Sequence, residues 1–224
     1  MATNARAVGS PRAESTRRAL LSAAERLFAE HGIAPVTHRQ ITDTAGQGNN
    51  AAVVYHFGTK AGLVAAIEED HAGAIEQLRQ RRVEQTGDSV ELRDWITCLV
   101  APLTDHLATS GTPTWYARFA AQCATEPAYH RIVIDNALRS PSLRHVIDRI
   151  EASLPDLPRE VRAGRNVMMR AVLLHTCANF ERAFAAGKAP GRDWPTVGTE
   201  LIDAMVGLWQ ATASARPYLA VPDH

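Results

Sequence analysis

Apolar side chains recur at three- and four-residue steps along almost the whole of this chain, and runs that alternate apolar with polar residues are nearly absent. A period near 3.6 lays one stripe along a helix, whereas a half-buried strand needs a period of two. The pattern therefore predicts an all-α fold. The 224 residues suffice for one or two domains and for a core that needs no disulfide or metal. Apolar residues make up 46% and charged residues 21%, the balance of a globular chain and not of a disordered one.

The stripe Leu20, Ala23, Ala24, Leu27, Phe28 and His31 predicts a helix over about residues 15–31, and Gly32 can close it. Thr37 is placed to cap a short helix over about 38–45, which Gly46 ends. A second short helix follows at about 49–55. Thr59 then caps a longer one over 60–83, striped by Leu63, Val64, Ile67, His71, Ala74, Ile75 and Leu78. Further helices are expected at about 89–108, 113–125, 127–137, 141–153, 159–186 and 194–214. Pro113, Pro127, Pro141, Pro155, Pro158 and Pro195 mark their boundaries, because proline cannot continue a helix interior.

Residues 37–57 form two short helices joined by a glycine-containing turn and preceded by a longer amphipathic helix. That is the length pattern of a helix-turn-helix, whose second helix enters the major groove. Leu27, Phe28, Ile41, Val53 and Phe57 are its expected core. Asn49 and Asn50 stand at the start of the second helix. An asparagine can pair with adenine through both amide atoms, and Ala51 or Ala52 can meet a thymine methyl. Both asparagines can equally serve only as turn and cap residues, and Tyr55 only as packing.

Thr37-x-Arg39-x-Ile41-x-x-x-Ala45-Gly46 and Tyr55-His56-Phe57-Gly58-Thr59-Lys60, with Ala23 to Gly32 upstream, resemble the N-terminal domain of the TetR (tetracycline-repressor-like) family of bacterial transcription regulators. The likeness covers about residues 15–65. Two departures stand out. The stretch Gln47 to Val54 is about one residue longer than the commoner form, and Thr42 occupies a place where a small alanine is usual. The resemblance implies a DNA-binding domain over 1–60 that includes an N-terminal arm, a linking helix over 60–83, and a larger helical domain over 84–224 for ligand binding and dimerisation. It implies DNA contacts from Thr37, His38, Arg39, Gln47, Asn49, Asn50, Ala51, Tyr55, His56 and Lys60.

Charge fits that division. The net charge is +0, but residues 1–60 hold seven basic side chains against four acidic, and the remainder holds 17 against 20. Arg6, Arg12, Arg17 and Arg18 could form an arm along DNA or lie in solvent.

In the last helices two apolar stripes occur: Val197, Leu201, Ala204, Met205, Leu208 and Thr212, and then Ile202, Val206, Trp209 and Ala213. Two stripes need two partners: one is the protomer's core, and the other is a second copy of the chain, unless the helix is simply buried deep within one monomer. The expected dimer interface is Val167, Ala171, Leu174, Ala178, Leu201, Met205, Leu208 and Trp209. A symmetric dimer would put two reading helices on successive major grooves of a palindromic double-stranded operator. The resemblance also implies a pocket for a partly apolar small-molecule effector. Polar and aromatic residues of the middle helices supply its candidate lining: Trp95, Cys98, His106, Trp115, Arg118, Phe119, Gln122, His145, Met168, His175 and Asn179, although Trp115 and Phe119, four apart, can equally be core, Arg118 can pair with a structural acid, and each histidine can be a satisfied or surface residue.

Catalytic signatures are missing: no GxSxG, HExxH, phosphate-binding loop or dinucleotide-binding glycine pattern occurs. No enzyme, cofactor or metal is expected. A site built from His106, His145 and His175 lacks one-turn spacing. The cysteines, Cys98, Cys123 and Cys177, form no CxxC pair and suit a reducing compartment. No apolar run is long enough for a membrane span, so a cytoplasmic protein is expected. The leading expectation is a ligand-released repressor. The alternative from another class is an all-helical module that binds a small molecule or a protein and never DNA.

Overall fold

The computed structural model describes residues 11–111 and 113–213. Among these are ten helices and no strand: α1 (Pro11–His31), α2 (His38–Thr44), α3 (Ala52–Phe57), α4 (Lys60–Thr86), α5 (Leu92–Thr109), α6 (Tyr116–Thr125), α7 (Pro127–Arg139), α8 (Pro141–Ala152), α9 (Arg159–Ala185) and α10 (Trp194–Gln210). The all-α expectation holds.

Several helices that carry a capping side chain or an opening proline begin where periodicity placed them, although the helix expected to open at Pro113 does not. Thr37 caps α2, Thr59 caps α4 and Asp193 caps α10, while Pro127 and Pro141 open α7 and α8. The helices α3, α5 and α6 have no cap from the side chain of their own N-cap residue, and each starts three residues later than expected. The N-terminal end needs a correction too. Pro11 at the first helical position extends α1 four residues upstream, so Arg12, Arg17 and Arg18 belong to a helix and not to an arm. Arg18 pairs with Glu14 at 3.7 Å, and the Arg17 guanidinium lies 5.4 Å from the Phe57 ring centroid. Arg6 and the rest of residues 1–10, and residues 214–224, lie outside the described residues.

The first three helices and the start of α4 share a small core. Leu20, Ala24, Phe28, Ile33, Val36, Ile41, Val53, Leu63, Val64 and Ile67 are all buried in it, and Leu27 and Phe57 pack against its edge. The α3–α4 turn is so tight that a Cβ at Gly62 would collide with the Phe57 carbonyl oxygen. Beyond it, α5 packs against α4, α8 and α10, while α6 packs against α7, α9 and α1.

Ala178, Leu201, Met205 and Trp209, expected at a dimer interface, are buried inside the protomer. Leu174 is half-buried. The stripe they share faces the protomer's own core, because α10 lies along α5 closely enough that a Cβ at Gly198 would meet Thr104 Oγ1 at 2.9 Å. The apolar side chains left outside on α9 are Val167, Met168 and Val172, with Ala171 beside them.

Candidate nucleic-acid interface and internal cavity

Thr37 and Gln40 form a reciprocal capping box. The Thr37 hydroxyl accepts from Gln40 N at 3.2 Å, and Gln40 Oε1 accepts from Thr37 N at 2.8 Å. This fixes the start of α2 and stands Arg39 out in solvent, beside Asp43 at 3.7 Å. Gly46, at a φ of 66°, turns the chain out of α2 in the left-handed region. Thr42, the unusual residue at this turn, is fully buried. Its hydroxyl donates to backbone carbonyls of α2, at 2.9 Å to Arg39 O, and stands 3.1 Å from Asn50 Oδ1. Asn49 Oδ1 accepts from Ala51 N at 2.9 Å. Both asparagines are thus engaged in shaping the turn and the α3 entry, as the cap alternative has it. Gln47 Nε2 donates to Ala45 O at 3.3 Å.

The six-residue α3 buries Ala52 and Val53 and presents Ala51, Val54 and Tyr55 outward, three and four residues apart on one face. Tyr55 is 83% exposed and Val54 51%. His56 meets the Tyr55 ring edge-on at 5.0 Å. Two large apolar side chains standing in solvent on a short helix gain nothing for the fold, but suit a groove floor of thymine methyls and sugars. Val54 was not among the expected contacts, although its spacing from Ala51 would have placed it there. His38 is half-exposed at the start of α2. Lys60 spends its ammonium on the protein: Nζ donates to Ile33 O at 3.0 Å and to Ala34 O at 2.9 Å, tying α4 to the α1–α2 loop.

A cavity of about 500 Å³ opens between α4 to α10. None of the eleven residues expected to line a pocket does so. Most of them hold helices together instead. Phe119 stacks on Phe28 at 6.1 Å, Gln122 donates to Ala29 O at 3.4 Å, and Trp115 lies 5.4 Å from the Arg26 guanidinium. These three join α1 to the α6 region. Arg118 makes a buried ion pair with Glu181 at 3.0 Å, and Glu181 also accepts from the Ala117 and Arg118 amides, so it caps the start of α6. Trp95 donates to Ser89 O at 2.9 Å and meets His145 edge-on, while Cys98 lies 3.2 Å from the Thr86 hydroxyl. Met168, His175 and Asn179 face outward on α9. His106, His145 and His175 therefore sit in three different settings. Among the described residues no group of three His, Cys, Asp or Glu is arranged to hold a metal. The three cysteines are free and buried, and burial pushes the Cys177 thiol up to about 12.

The true lining comes from elsewhere. One face of α4 supplies Glu68, Ala72, Ile75 and Arg79. Leu99 and Leu103, Tyr116 and Ala120, Val133 and Ile134, Ile147 and Ile150, and Met169 and Leu173 add apolar walls, and Met205 and Trp209 close one side. Burial pushes the Glu68 carboxyl up to about 7, against the nearby His71 charge and the Tyr116 hydroxyl, which donates to it at 3.3 Å. The same burial raises Tyr116 well above the phenol range. Behind Tyr116 runs a polar chain that reaches α1. Tyr116 stacks on His71 at 3.9 Å, His71 Nε2 lies 3.1 Å from Glu25 Oε2, and His71 Nδ1 shares a hydrogen bond of 2.8 Å with His106. Burial and the facing His71 push His106 down to about 4, so His106 is the neutral partner. Charged residues on an otherwise apolar helical face were the available signal for Glu68 and Arg79, at steps of four, three and four along α4.

Comparison with known proteins bears on both regions. The family model for bacterial regulatory proteins of the tetR family matches residues 20–67, and that for the tetracyclin repressor-like C-terminal domain matches residues 97–207. No curated protein matches the sequence. Three similar solved structures are a TetR family transcription regulator from Marinobacter aquaeolei VT8, NalD of Pseudomonas aeruginosa, and SmeT of Stenotrophomonas maltophilia. The first is 18% identical, with 86% of this chain and 96% of that one covered and a TM-score of 0.58. NalD, the secondary repressor of the MexAB-OprM multidrug efflux pump, is 22% identical over 87% of this chain and 96% of its own, with a TM-score of 0.56. SmeT, the repressor of the SmeDEF multidrug efflux pump, is 19% identical over 91% and 100%, with a TM-score of 0.54.

Proposed function

The chain belongs to the TetR family of bacterial transcription regulators, and from that premise we propose that it is a homodimeric repressor released from a palindromic operator when a small molecule enters the cavity between α4 and α10. One observation carries the coupling: α4 belongs to both sites. Its first residue is bonded into the α1–α2 loop through Lys60, and Leu63, Val64 and Ile67 complete the core under the reading helix. The next turns of the same helix supply Glu68, Ala72, Ile75 and Arg79 to the cavity. An occupant that shifts α4 moves the base on which α3 stands. The efflux-pump repressors NalD and SmeT share this fold and support the sign of regulation.

The division falls near residue 60, with a DNA-binding unit before it and a ligand-binding and dimerisation unit beyond α4. In the dimer Val167, Met168, Ala171 and Val172 of α9 are covered by the partner, together with Leu208 of α10. The exposure of three large apolar side chains on one helix favours this face. Two copies of α3 then meet successive major grooves, roughly 34 Å apart. Tyr55, Val54, Ala51 and His56 reach the groove; Thr37, His38 and Arg39 grip phosphate; Gln47, Asn49, Asn50 and Lys60 hold the geometry and reach the backbone from its edges. The modest basic excess of the first 60 residues makes dimerisation important to affinity. Among the described residues no helix is long and apolar enough to cross a membrane, in keeping with work at cytoplasmic DNA. Effector and operator disfavour each other by one coupling energy, typically ~1–3 kcal/mol.

Gel-shift titration of the DNA flanking the chain's own gene tests the proposal. A specific, salt-sensitive complex that needs Tyr55 and Arg39 is expected. Loss of neither complex nor specificity in the Arg39→Ala, Tyr55→Ala double variant contradicts it, as does the lack of any specific site across the genome.

A further inference from the structure

Among the described residues three buried side-chain nitrogen or oxygen atoms have no hydrogen-bond partner: Glu68 Oε1, Arg79 Nε and Trp209 Nε1. All three residues line the same cavity. Buried polar groups are nearly always bonded, because an orphan forfeits its hydration for nothing. Three in one cavity wall describe an occupant by its complement.

Their placement adds length to the description. Glu68 and Arg79 are eleven residues apart on α4, with Ala72 and Ile75 between them on the same face, so their backbones stand roughly 16 Å apart. On the cavity face of that helix only Ala72 and Ile75, both aliphatic, lie between the two polar ends. Glu68, 4% exposed, has no ion-pair partner; the hydroxyl of Tyr116 is its side-chain contact. Arg79 reaches Glu76 at 3.4 Å and Ser140 at 3.5 Å, both long. Glu76 is already engaged by the hydroxyls of Ser140 and Ser142 and by Ser142 N at 3.2 Å.

We propose that the cavity takes an elongated bipolar amphiphile, with a protonated amine against Glu68, a carboxylate or carbonyl end group against Arg79, and an apolar chain along Ala72 and Ile75. The proposal rests on the cavity being the effector site. The amine supplies the cation that the fold withholds from Glu68, and the acceptor end completes the guanidinium. Amine binding must ionise Glu68, whose surroundings are Tyr116 and Cys123 of α6, His71 of α4 and Glu25 of α1. With the free carboxyl at about 7, affinity for the amine falls as pH drops below neutrality, because a proton then has to be displaced.

The test uses the full chain and four probes below their micellar concentrations: 12-aminododecanoate, dodecylamine, dodecanoate and 1-dodecanol. A twelve-carbon chain has an extended length of the order of the Glu68 to Arg79 separation. Calorimetric titration is expected to rank the bipolar probe at least about tenfold tighter than the alcohol, a difference of about 1.4 kcal/mol. Glu68→Gln weakens both amines relative to dodecanoate, whose retained binding also certifies the variant's fold. Raising the pH through neutrality tightens dodecylamine but not 1-dodecanol. Equal binding of the bipolar probe and the alcohol overturns the proposal, as does a Glu68→Gln variant that keeps full amine affinity. Failure of all four probes overturns it too. The effector-site reading stands or falls separately, on a cavity-filling variant whose effect on operator binding needs no ligand.

Discussion

The helix-turn-helix and the cavity treat polar groups in opposite ways. In α1 to α3 the buried side chains are apolar except Thr42, whose hydroxyl is bonded within α2 and faces Asn50. The candidate DNA contacts stand outside, where water satisfies them until phosphate or base replaces it. The C-terminal helices bury Arg118, Glu181 and Arg165 with bonded partners: Arg165, for example, donates to Trp209 O at 2.9 Å and to Ala211 O at 2.6 Å, closing the end of α10. Around the cavity, however, Glu68, Arg79 and Trp209 are buried incompletely bonded. An exterior site can be complete without its partner. An interior one carries the cost of the missing partner in its own stability.

The contrast can be broken most forcefully at Arg118. Arg118→Ala strands Glu181, a side chain 1% exposed. Loss of one partner of a buried pair costs about 3–5 kcal/mol. Urea unfolding should show that loss, with dodecanoate affinity unchanged under conditions where the variant remains folded; a selective loss of ligand binding would return Arg118 to the site.

Next in size is the pH dependence at Glu68. Burial holds its carboxyl at about 7 in the fold, against 4.5 for an ordinary glutamate. The folded state therefore holds the proton more tightly, and stability is lost as pH rises from 4.5 through 7, by about 3 kcal/mol. Unfolding of wild type and Glu68→Gln between these limits should diverge by that order, with wild type the loser at the alkaline end. Parallel curves would mean that Glu68 is already satisfied.

Tyr55→Ala probes the exterior site. Because the ring stands 83% exposed, stability should stay within about 0.5 kcal/mol. Operator affinity should fall by about 1–3 kcal/mol, measured by anisotropy at fixed salt. The smallest effect is expected at Thr37→Ala, which removes a cap and costs about 1 kcal/mol of stability. Its DNA affinity should fall modestly as well, through the lost phosphate contact and any fraying of α2, checked by the same titration.

This contrast also explains what the sequence made legible. The helix-turn-helix is local: its caps, glycines and core residues lie within some 40 positions, so Thr37, Gly46, Ile41 and Val53 could be placed from spacing. Thr59, Pro127 and Pro141 announced their helix starts for the same reason, whereas α3, α5 and α6, lacking a capping side chain of their own, slipped by three residues. The cavity is assembled from seven helices, and no local pattern encodes which faces meet. Aromatic and polar residues drew attention in the middle helices, yet Phe119, Gln122 and Trp115 join α6 to α1, and Arg118 pairs with Glu181 across 63 positions. The residues that do line the cavity are mostly aliphatic and look like any core. Leu201, Met205 and Trp209 were misassigned because periodicity reports that a face is apolar, not whether its partner is another helix of the same chain or a second copy.

The central claim is that α4 carries the state of the cavity to the reading helix. Ala72 lies on the cavity face of α4, half-buried between Glu68 and Ile75. Ala72→Trp fills the cavity from α4 itself without touching the DNA-binding face, and its operator affinity can be measured by anisotropy against wild type at equal salt. Coupling through α4 should leave an intact, cooperatively melting dimer whose operator affinity is weakened about tenfold or more, a coupling of at least about 1.4 kcal/mol. A filled cavity with wild-type operator affinity would contradict it.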